Sequence, residues 1–333
     1  MKQDFHLIHF INLPFIRYTI HIKMLKSILI LSFSCLTIFC FGQKANQKND
    51  LKQKVKQLDQ LMKSANEAGI FNGNVLISKN DKILYKASFG FADAAKTIHL
   101  SDEYRFHLGS ITKEFSAVAL LQLEEQGKLK LSDPVSKFIP QLHDWAHEVT
   151  IKDLLQYSSG IPNVNWKTIK NDTDIFNGLM ALDQLSFKPG TDYDYNNNNL
   201  FLRQFIIERI TGIPFKNYVN QLLFKPLKMN SSLMTPFDQE KYIAQGFNAE
   251  GVADRAELPI TGGTYTTSAD LLKWANALHS EKIINKNSIY QSGQSFPVSD
   301  SQSALGNAKF DHKNLMAGRE VLKRSCFQML KRK

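Results

Sequence analysis

The hydrophobic period of this chain changes between residues 71 and 126, and that change constrains the fold more than any other feature. Two runs with strand-like alternation, Phe71–Ser78 and Lys82–Phe89, are joined by a short polar link, which is typical of a β-hairpin. Apolar residues then recur at helical spacing over Ser110–Gln126, and Gly127 follows as a C-terminal stop signal. A hairpin followed by a long apolar helix predicts an α+β fold, with an antiparallel sheet flanked by helices.

Most of the later segments carry helical signals. Residues 136–254 hold most of them, so we expect an all-helical second lobe there, with the sheet-containing part formed by residues 43–135 and 255–312. The predicted helices are Thr150–Tyr157, a helix near Asp174–Leu185, Asn198–Thr211, Phe215–Phe224 and Ser268–His279.

Ser110 and Lys113 stand three residues apart at the start of the long apolar helix. Residues with this spacing share a helix face, and the unpaired N–H groups of a first turn favour negative charge. A serine hydroxyl needs a neighbouring base to become a nucleophile, and a lysine is such a base only when burial or a nearby cation lowers its pKa. The pattern therefore predicts Ser110 as a nucleophile and Lys113 as a base withdrawn from solvent.

The first 42 residues have the organisation of an export signal behind a short upstream extension. A basic start at Met24-Leu25-Lys26 precedes the apolar run Ser27–Phe41, and Gly42 is a small residue before the expected cleavage site. That run is shorter than the roughly 20 residues that span a bilayer. We expect a periplasmic or secreted protein with no stable membrane span after cleavage. The alternative is one long N-terminal anchor, since Phe5–Ile22 is also fairly apolar.

The net charge of +10 does not lie on the predicted folded body. Residues 1–42 contribute +3 and residues 313–333 contribute +6, which leaves +1 for residues 43–312. A nucleic-acid-binding domain carries its basic residues on the folded surface, so we expect no nucleic-acid partner.

Other chemistries lack their sequence signatures. His143 and His147 have helical i, i+4 spacing, but no glutamate or third ligand accompanies them in a zinc-protease pattern. No phosphate-binding loop and no Gly-x-Ser-x-Gly elbow occur. The sequence thus predicts neither a metal nor a cofactor.

Six segments between residues 48 and 312 match, in the same order, the segments of a known protein family. They are Phe71–Asp93, Phe106–Lys113, Leu131–Ile139, Val149–Pro162, Tyr193–Gly212 and Gly262–Trp274. In these segments the chain resembles the serine β-lactamase and penicillin-binding superfamily, and within it the branch of class C β-lactamases, D-Ala-D-Ala carboxypeptidases and related esterases.

The resemblance implies a second motif, Tyr-x-Asn, at Tyr195-Asn196-Asn197. A tyrosinate or a hydrogen-bonded phenol at Tyr195 would relay a proton to the leaving group. The Asn197 amide would bind the substrate carbonyl and also hold Lys113. Tyr218-Val219-Asn220 also matches Tyr-x-Asn. We favour Tyr195 because it lies in a loop-like stretch, whereas Tyr218 falls in a predicted helix and is expected to pack.

The family's third motif, a Lys or His two residues before a Gly on a sheet strand, has no clear counterpart. Met316-Ala317-Gly318 has the glycine without the cation, and the basic composition of residues 313–333 resembles that of a shifted reading frame. We therefore expect a C-terminal truncation with the last sheet strands missing.

Two functions follow from these features. The first is an exported serine hydrolase that forms an acyl-enzyme with a β-lactam, a D-Ala-type peptide or a small ester. The second is a truncated, non-catalytic pseudoenzyme or binding relic of the same fold.

Overall fold

The computed structural model describes residues 49–79, 82–165, 168–234, 240–248, 250–253, 263–298 and 301–305, together with the backbone of two strands within 313–332. The predicted signal, its upstream extension and most of the linker to residue 49 lie outside the described residues. The chain divides into two compact units, Met1–Leu61 and Met62–Lys333. Helix α1 spans residues 49–67, and its first part belongs to the first unit. All the other features described below belong to the second unit.

The predicted hairpin is confirmed. Strand β1 (Gly73–Lys79) pairs antiparallel with β2 (Lys82–Phe89), in a register that runs from Gly73 opposite Phe89 to Lys79 opposite Lys82. Among the described strands, β1 and β2 pair only with each other.

A second small sheet leads the chain towards the long apolar helix. Strand β3 (Phe106–His107) pairs antiparallel with β5 (Thr264–Thr266), and β5 pairs on its other side with β4 (Leu233–Met234). Strand β4 falls within 136–254, so the second lobe is mainly helical rather than all-helical as we expected. The pairing of β4 with β5 ties that lobe to the segment that carries Ser110.

Helix α2 (Thr112–Glu125) forms the centre of the core, and it is preceded by a 3₁₀ turn over Gly109–Ile111. Its side chains are buried on nearly every face, because other helices surround it. Phe115 makes edge contacts with Trp274 at 4.5 Å and with Phe224 at 5.1 Å between ring centroids. Aromatic pairs of this kind add to the stability gained from burial alone.

The remaining helices include the five that the sequence predicted, with ends that differ by up to five residues, and one that it did not predict, Lys286–Ser292. They are α3 (Ile151–Gln156), α4 (Asp172–Met180), α5 (Asn197–Thr211), α6 (Phe215–Tyr218) with its π-helical continuation Val219–Phe224, α7 (Ser268–His279) and α8 (Lys286–Ser292), with short 3₁₀ segments at Val135–Lys137 and Asp144–His147. Helix α5 packs against α2, and α7 packs against β1. Thr150 caps α3, and Thr267 caps α7.

The C-terminal segment contains two strands that the sequence did not predict, and the expected truncation stays a prediction. Strands β6 (Lys313–Arg319) and β7 (Cys326–Arg332) form an antiparallel hairpin in a sheet of their own. Strand β6 runs beside the turn Gly109–Ile111. The composition of this segment is dominated by its basic residues, and that bias concealed the strand pattern.

The fold is therefore mixed α+β, with small antiparallel sheets and many helices, as the sequence predicted. Within the described part of the chain, no helix is both long enough and apolar enough to cross a membrane.

Candidate active site

Ser110 lies in the turn between β3 and α2, and residues on both sides of it form hydrogen bonds with Thr264 of β5. The Leu108 N–H donates to the Thr264 carbonyl at 2.9 Å, and the Thr264 N–H donates to Thr112 Oγ1 at 3.2 Å. Gly109 has φ +53°, a left-handed conformation that favours glycine over other residues. The turn therefore holds Ser110 at the N-terminal end of α2.

Lys113 reaches back from the first turn of α2 to Ser110. Its Nζ donates to Ser110 Oγ at 3.4 Å, and its side chain is partly buried, as predicted. Burial lowers the pKa of Lys113, and the positive charge of Arg203 lowers it further, while the Tyr157 hydroxyl opposes the shift. A lysine that loses its proton more readily can accept the proton of a neighbouring hydroxyl.

Tyr195 completes a group of three with Ser110 and Lys113. Lys113 Nζ lies 5.0 Å from the centroid of the Tyr195 ring. The Tyr195 hydroxyl is buried and has no hydrogen bond of regular geometry among the described residues. Burial raises the pKa of Tyr195, against the opposing influences of Ser110 and Arg203. Of the two forms considered from the sequence, the structure thus favours the neutral phenol over the tyrosinate.

Asparagine side chains just before α5 and in its first turn form hydrogen bonds with the loop that follows α3. Asn196 Nδ2 donates to the Ile161 carbonyl at 2.9 Å, and Asn198 Nδ2 donates to the Pro162 carbonyl at 2.7 Å. Asn199 Oδ1 accepts from Ser159 Oγ at 2.7 Å. Asn196 also caps α5 by accepting from the Asn199 N–H at 3.0 Å. The loop after α3 and the loop before α5 are therefore held at a fixed separation.

Asn197 is less firmly tied to the group of three than the sequence suggested. It is the first residue of α5, it is partly buried, and its N–H donates to Asn163 Oδ1 at 3.4 Å. In the described part of the chain its side chain forms no hydrogen bond with Ser110 or Lys113.

Sequence reasoning missed two residues that lie beside this group, Tyr157 and Arg203. The Tyr157 ring lies 4.7 Å from the Tyr195 ring, and Arg203 Nη2 donates to the Tyr157 hydroxyl at 3.1 Å. Tyr157 is at the C-terminal end of a short helix and Arg203 is within a helix rich in apolar residues. The one signal in the sequence was the position of Arg203, which shares a helix face with apolar residues of α5 and is therefore expected in the interior.

The other candidate residues lie elsewhere. Tyr218 is buried, and its hydroxyl donates to Gln122 Oε1 at 3.1 Å, so it packs as predicted. His147 contacts Ser136, and His143 lies 3.6 Å from Asp183. The described residues contain no group of three or more His, Cys, Asp or Glu side chains that could hold a metal ion.

Known proteins have sequences similar to that of this chain. The family model described as "Beta-lactamase" matches residues 51–314. PbpX of Bacillus subtilis (strain 168), described as a penicillin-binding protein, is 30% identical over 73% of this chain and 66% of its own length. Protein flp of Staphylococcus aureus (strain N315) is 31% identical over 68% of this chain and 48% of its own length. The chain thus spans between about half and two thirds of the length of these relatives.

Solved structures show the same fold. FmtA from Staphylococcus aureus superimposes with a TM-score of 0.69 and 23% identity, covering 84% of this chain and 81% of its own. A class C beta-lactamase superimposes with a TM-score of 0.65 and 23% identity, covering 77% of this chain and 74% of its own. With a family model that matches most of its length and a fold shared with these proteins, the chain belongs to the beta-lactamase family of serine hydrolases, which includes penicillin-binding proteins.

Proposed function

We propose that this protein is an exported serine hydrolase that forms an acyl-enzyme at Ser110. The observation that carries the proposal is the contact of 3.4 Å between Lys113 Nζ and Ser110 Oγ, made by a lysine whose pKa is lowered by burial. Catalytic hydrogen bonds are often long in the absence of substrate and shorten when it binds.

The proposed acylation begins when Lys113, in its neutral form, accepts the proton of Ser110 Oγ while that oxygen attacks the substrate carbonyl carbon. The tetrahedral intermediate then expels the leaving amine or alkoxide. Tyr195, as a neutral phenol, donates its proton to the leaving atom and regains one from Lys113. Water completes the cycle by attacking the acyl-enzyme and releasing the acid.

Asn197 is proposed to bind the substrate rather than to transfer protons. As the first residue of α5 it lies beside Tyr195, and its amide has both a donor and an acceptor. The substrate would be a small molecule or a peptide: a β-lactam, a D-Ala-type peptide or a small ester. The signal-like segment before residue 43 supports a periplasmic or secreted location.

A non-catalytic binding protein of the same fold is the second candidate. It is favoured by the sequence of β6, the strand beside the Ser110 turn, because Met316 stands where the third motif of the family has a cation. Such a protein would bind a substrate analogue without forming a covalent bond to Ser110.

Covalent labelling separates the two candidates. The full chain would be incubated with a fluorescent penicillin and, separately, with a fluorophosphonate probe, and the labelled peptide would be identified by mass spectrometry. We expect the label on Ser110 and its loss in S110A. The matched control is S132A, which changes an exposed serine and should label like the parent. Labelling that persists in S110A would overturn the hydrolase proposal, and reversible binding without labelling would favour the second candidate.

A further inference from the structure

Arg203 is a fully buried cation in the interior of the helical lobe. Its exposed fraction is 0%, although it lies in the middle of α5, among side chains that form the core. Arginine is almost never fully buried unless it is paired, because an unpaired charge loses its hydration. No described carboxylate forms an ion pair with it, and its Nε and Nη1 atoms have no hydrogen-bond partner among the described residues.

The contacts of Arg203 lead directly to the group of three. Arg203 Nη2 donates to the Tyr157 hydroxyl at 3.1 Å, and its Cζ lies 5.2 Å from the centroid of the Tyr157 ring. The Tyr157 ring contacts the Tyr195 ring at 4.7 Å with an interplanar angle of 45°. Lys113 Nζ lies over the Tyr195 ring, 5.0 Å from its centroid. A continuous series of contacts thus joins the buried guanidinium to the proposed base.

Tyr157 is itself fixed by an unusual backbone conformation. It ends α3 with φ +56°, a left-handed conformation that costs free energy for a residue other than glycine. Its carbonyl accepts from the Asp194 N–H at 2.9 Å, next to Tyr195 in the chain. Strain of this kind persists where the surrounding structure needs a side chain in one place.

We propose that Arg203, acting through Tyr157, is a positioning residue that holds Tyr195 against Lys113 and places a permanent positive charge behind them. The inference rests on the proposed function of Ser110, Lys113 and Tyr195.

The charges around Lys113 agree with this role. Burial is the main cause that lowers the pKa of Lys113. The Tyr157 hydroxyl raises this pKa, and the positive charge of Arg203 lowers it. Among the described residues, Ser110 and Tyr195 are the other polar groups that face Lys113. The charge of Arg203 also opposes the rise of the Tyr195 pKa. A buried cation without a carboxylate partner favours the neutral lysine, which is the form that the proposed reaction requires.

The first experiment measures the titration of Lys113 without relying on turnover. The full chain would be acetylated with acetic anhydride at a series of pH values, and modification of Lys113 would be followed by peptide mass spectrometry. In R203M we expect the midpoint of this titration to move to higher pH, because the neighbouring cation is gone. The matched control is R209M, which removes an exposed arginine from the same helix and should leave the midpoint where it is in the parent chain.

A second variant separates the loss of the Arg203 charge from a loss of folding. R203M leaves the Tyr157 hydroxyl without its donor, whereas R203M/Y157F removes both partners and leaves no orphaned group from this pair. We expect the double variant to melt at or above the temperature of the parent chain. Because the Tyr157 hydroxyl itself raises the pKa of Lys113, the double variant is compared with Y157F, and its Lys113 midpoint should lie above that of Y157F. A folded R203M with the midpoint of the parent chain, or a folded double variant with the midpoint of Y157F, would overturn the inference.

Penicillin and fluorophosphonate labelling then separates this inference from the proposed function. If S110A abolishes labelling and R203M slows it most on the acid side, both the proposed function and the positioning role are supported. Below the Lys113 midpoint, the labelling rate of R203M should then fall tenfold for each pH unit by which the midpoint is displaced. If S110A still labels, the proposed function fails, whatever the Lys113 titration shows. If S110A abolishes labelling but R203M labels with an unchanged pH profile, the positioning role fails alone.

Discussion

Lys113 Nζ and Ser110 Oγ are joined across the boundary between a 3₁₀ turn and an α-helix, at 3.4 Å. The sequence spacing of three residues brings the two side chains onto one face, and the tighter 3₁₀ turn places Ser110 before the first residue of α2. As long as Lys113 is protonated it donates to the hydroxyl. It becomes a base only after losing that proton, so the proposed acylation depends on the fraction of neutral lysine.

Replacing Lys113 with methionine removes the amine and keeps the length of the side chain. We expect the rate of penicillin or fluorophosphonate labelling to fall by about 10²–10⁴, the usual contribution of a positioned general base. Labelling rates of purified K113M and of the parent chain would test this. The matched variant is K128M, an exposed lysine beyond the other end of α2, which should label normally. Equal rates in K113M and K128M would remove Lys113 from the mechanism.

The pH dependence of labelling should have two limbs with assignable groups. On the acid side the rate rises as Lys113 loses its proton, and because burial lowers its pKa, this limb lies below the range of an ordinary lysine. On the alkaline side the rate falls as Tyr195 ionises, and because burial raises its pKa, this limb lies above the range of an ordinary tyrosine. Y195F removes the ionising group, so we expect about a 10²-fold lower rate without the alkaline limb. An alkaline limb that persists in Y195F would assign it to another group.

The local part of the site was predictable from the sequence, and the reason is its spacing. Ser110 and Lys113 are three residues apart, so a helical period suffices to bring them together. Tyr195 came from the resemblance of its segment to a known family, and the structure places it beside Lys113. The helices were predicted within a few residues because their ends carry glycine stops and capping residues, as Thr150 does for α3.

The non-local part was not predictable, because its signals are long-range. Arg203 and Tyr157 are 46 residues apart in the chain, and no local pattern connects a helix-end tyrosine with an arginine in another helix. Strands β6 and β7 were not predicted, because their sequences do not alternate between apolar and polar residues and the segment is rich in basic residues. The register of β3 with β5, which fixes the Ser110 turn, pairs residues more than 150 positions apart and has no signature in either segment.

Gly160 is a position where the fold requires glycine, and it supports the loop that carries Tyr157. Its φ is +73°, and an added Cβ would overlap the carbonyl oxygen of Phe187. We expect G160A to lower the free energy of unfolding by more than about 1 kcal/mol. Gly178 offers a matched control, since it lies in α4 with open space around an added Cβ. G178A should be neutral or stabilising by up to about 1 kcal/mol. Urea titrations of both variants would measure the two changes, and equal stabilities would contradict the structure of this loop.

Glu114 follows Lys113 in the chain but is enclosed by the core. Its exposed fraction is 2%, and it accepts a hydrogen bond from Trp274 Nε1 at 3.1 Å through Oε2, while Oε1 has no partner among the described residues. Burial raises the pKa of Glu114 from its usual 4.5 to about 8, against the opposing effect of the Trp274 hydrogen bond. The folded chain thus binds a proton on Glu114 that the unfolded chain releases above its ordinary pKa.

The consequence is a loss of stability with rising pH. The stabilisation is fully present below pH 4.5, decreases as the pH rises towards about 8, and is absent above that value. At 1.36 kcal/mol per pKa unit the whole effect amounts to at most about 5 kcal/mol.

E114Q keeps an acceptor for Trp274 and cannot ionise. Its melting temperature should therefore vary less between pH 4.5 and 8 than that of the parent chain, and it should exceed that of the parent chain at pH 8.5. Thermal melts followed by circular dichroism at pH 5, 7 and 8.5 would measure both. The control E103Q alters an exposed carboxylate and should keep the pH dependence of the parent chain. If E114Q and E103Q melt with the same pH dependence, Glu114 is not the group that titrates, and its burial in the core of the folded protein would have to be revised.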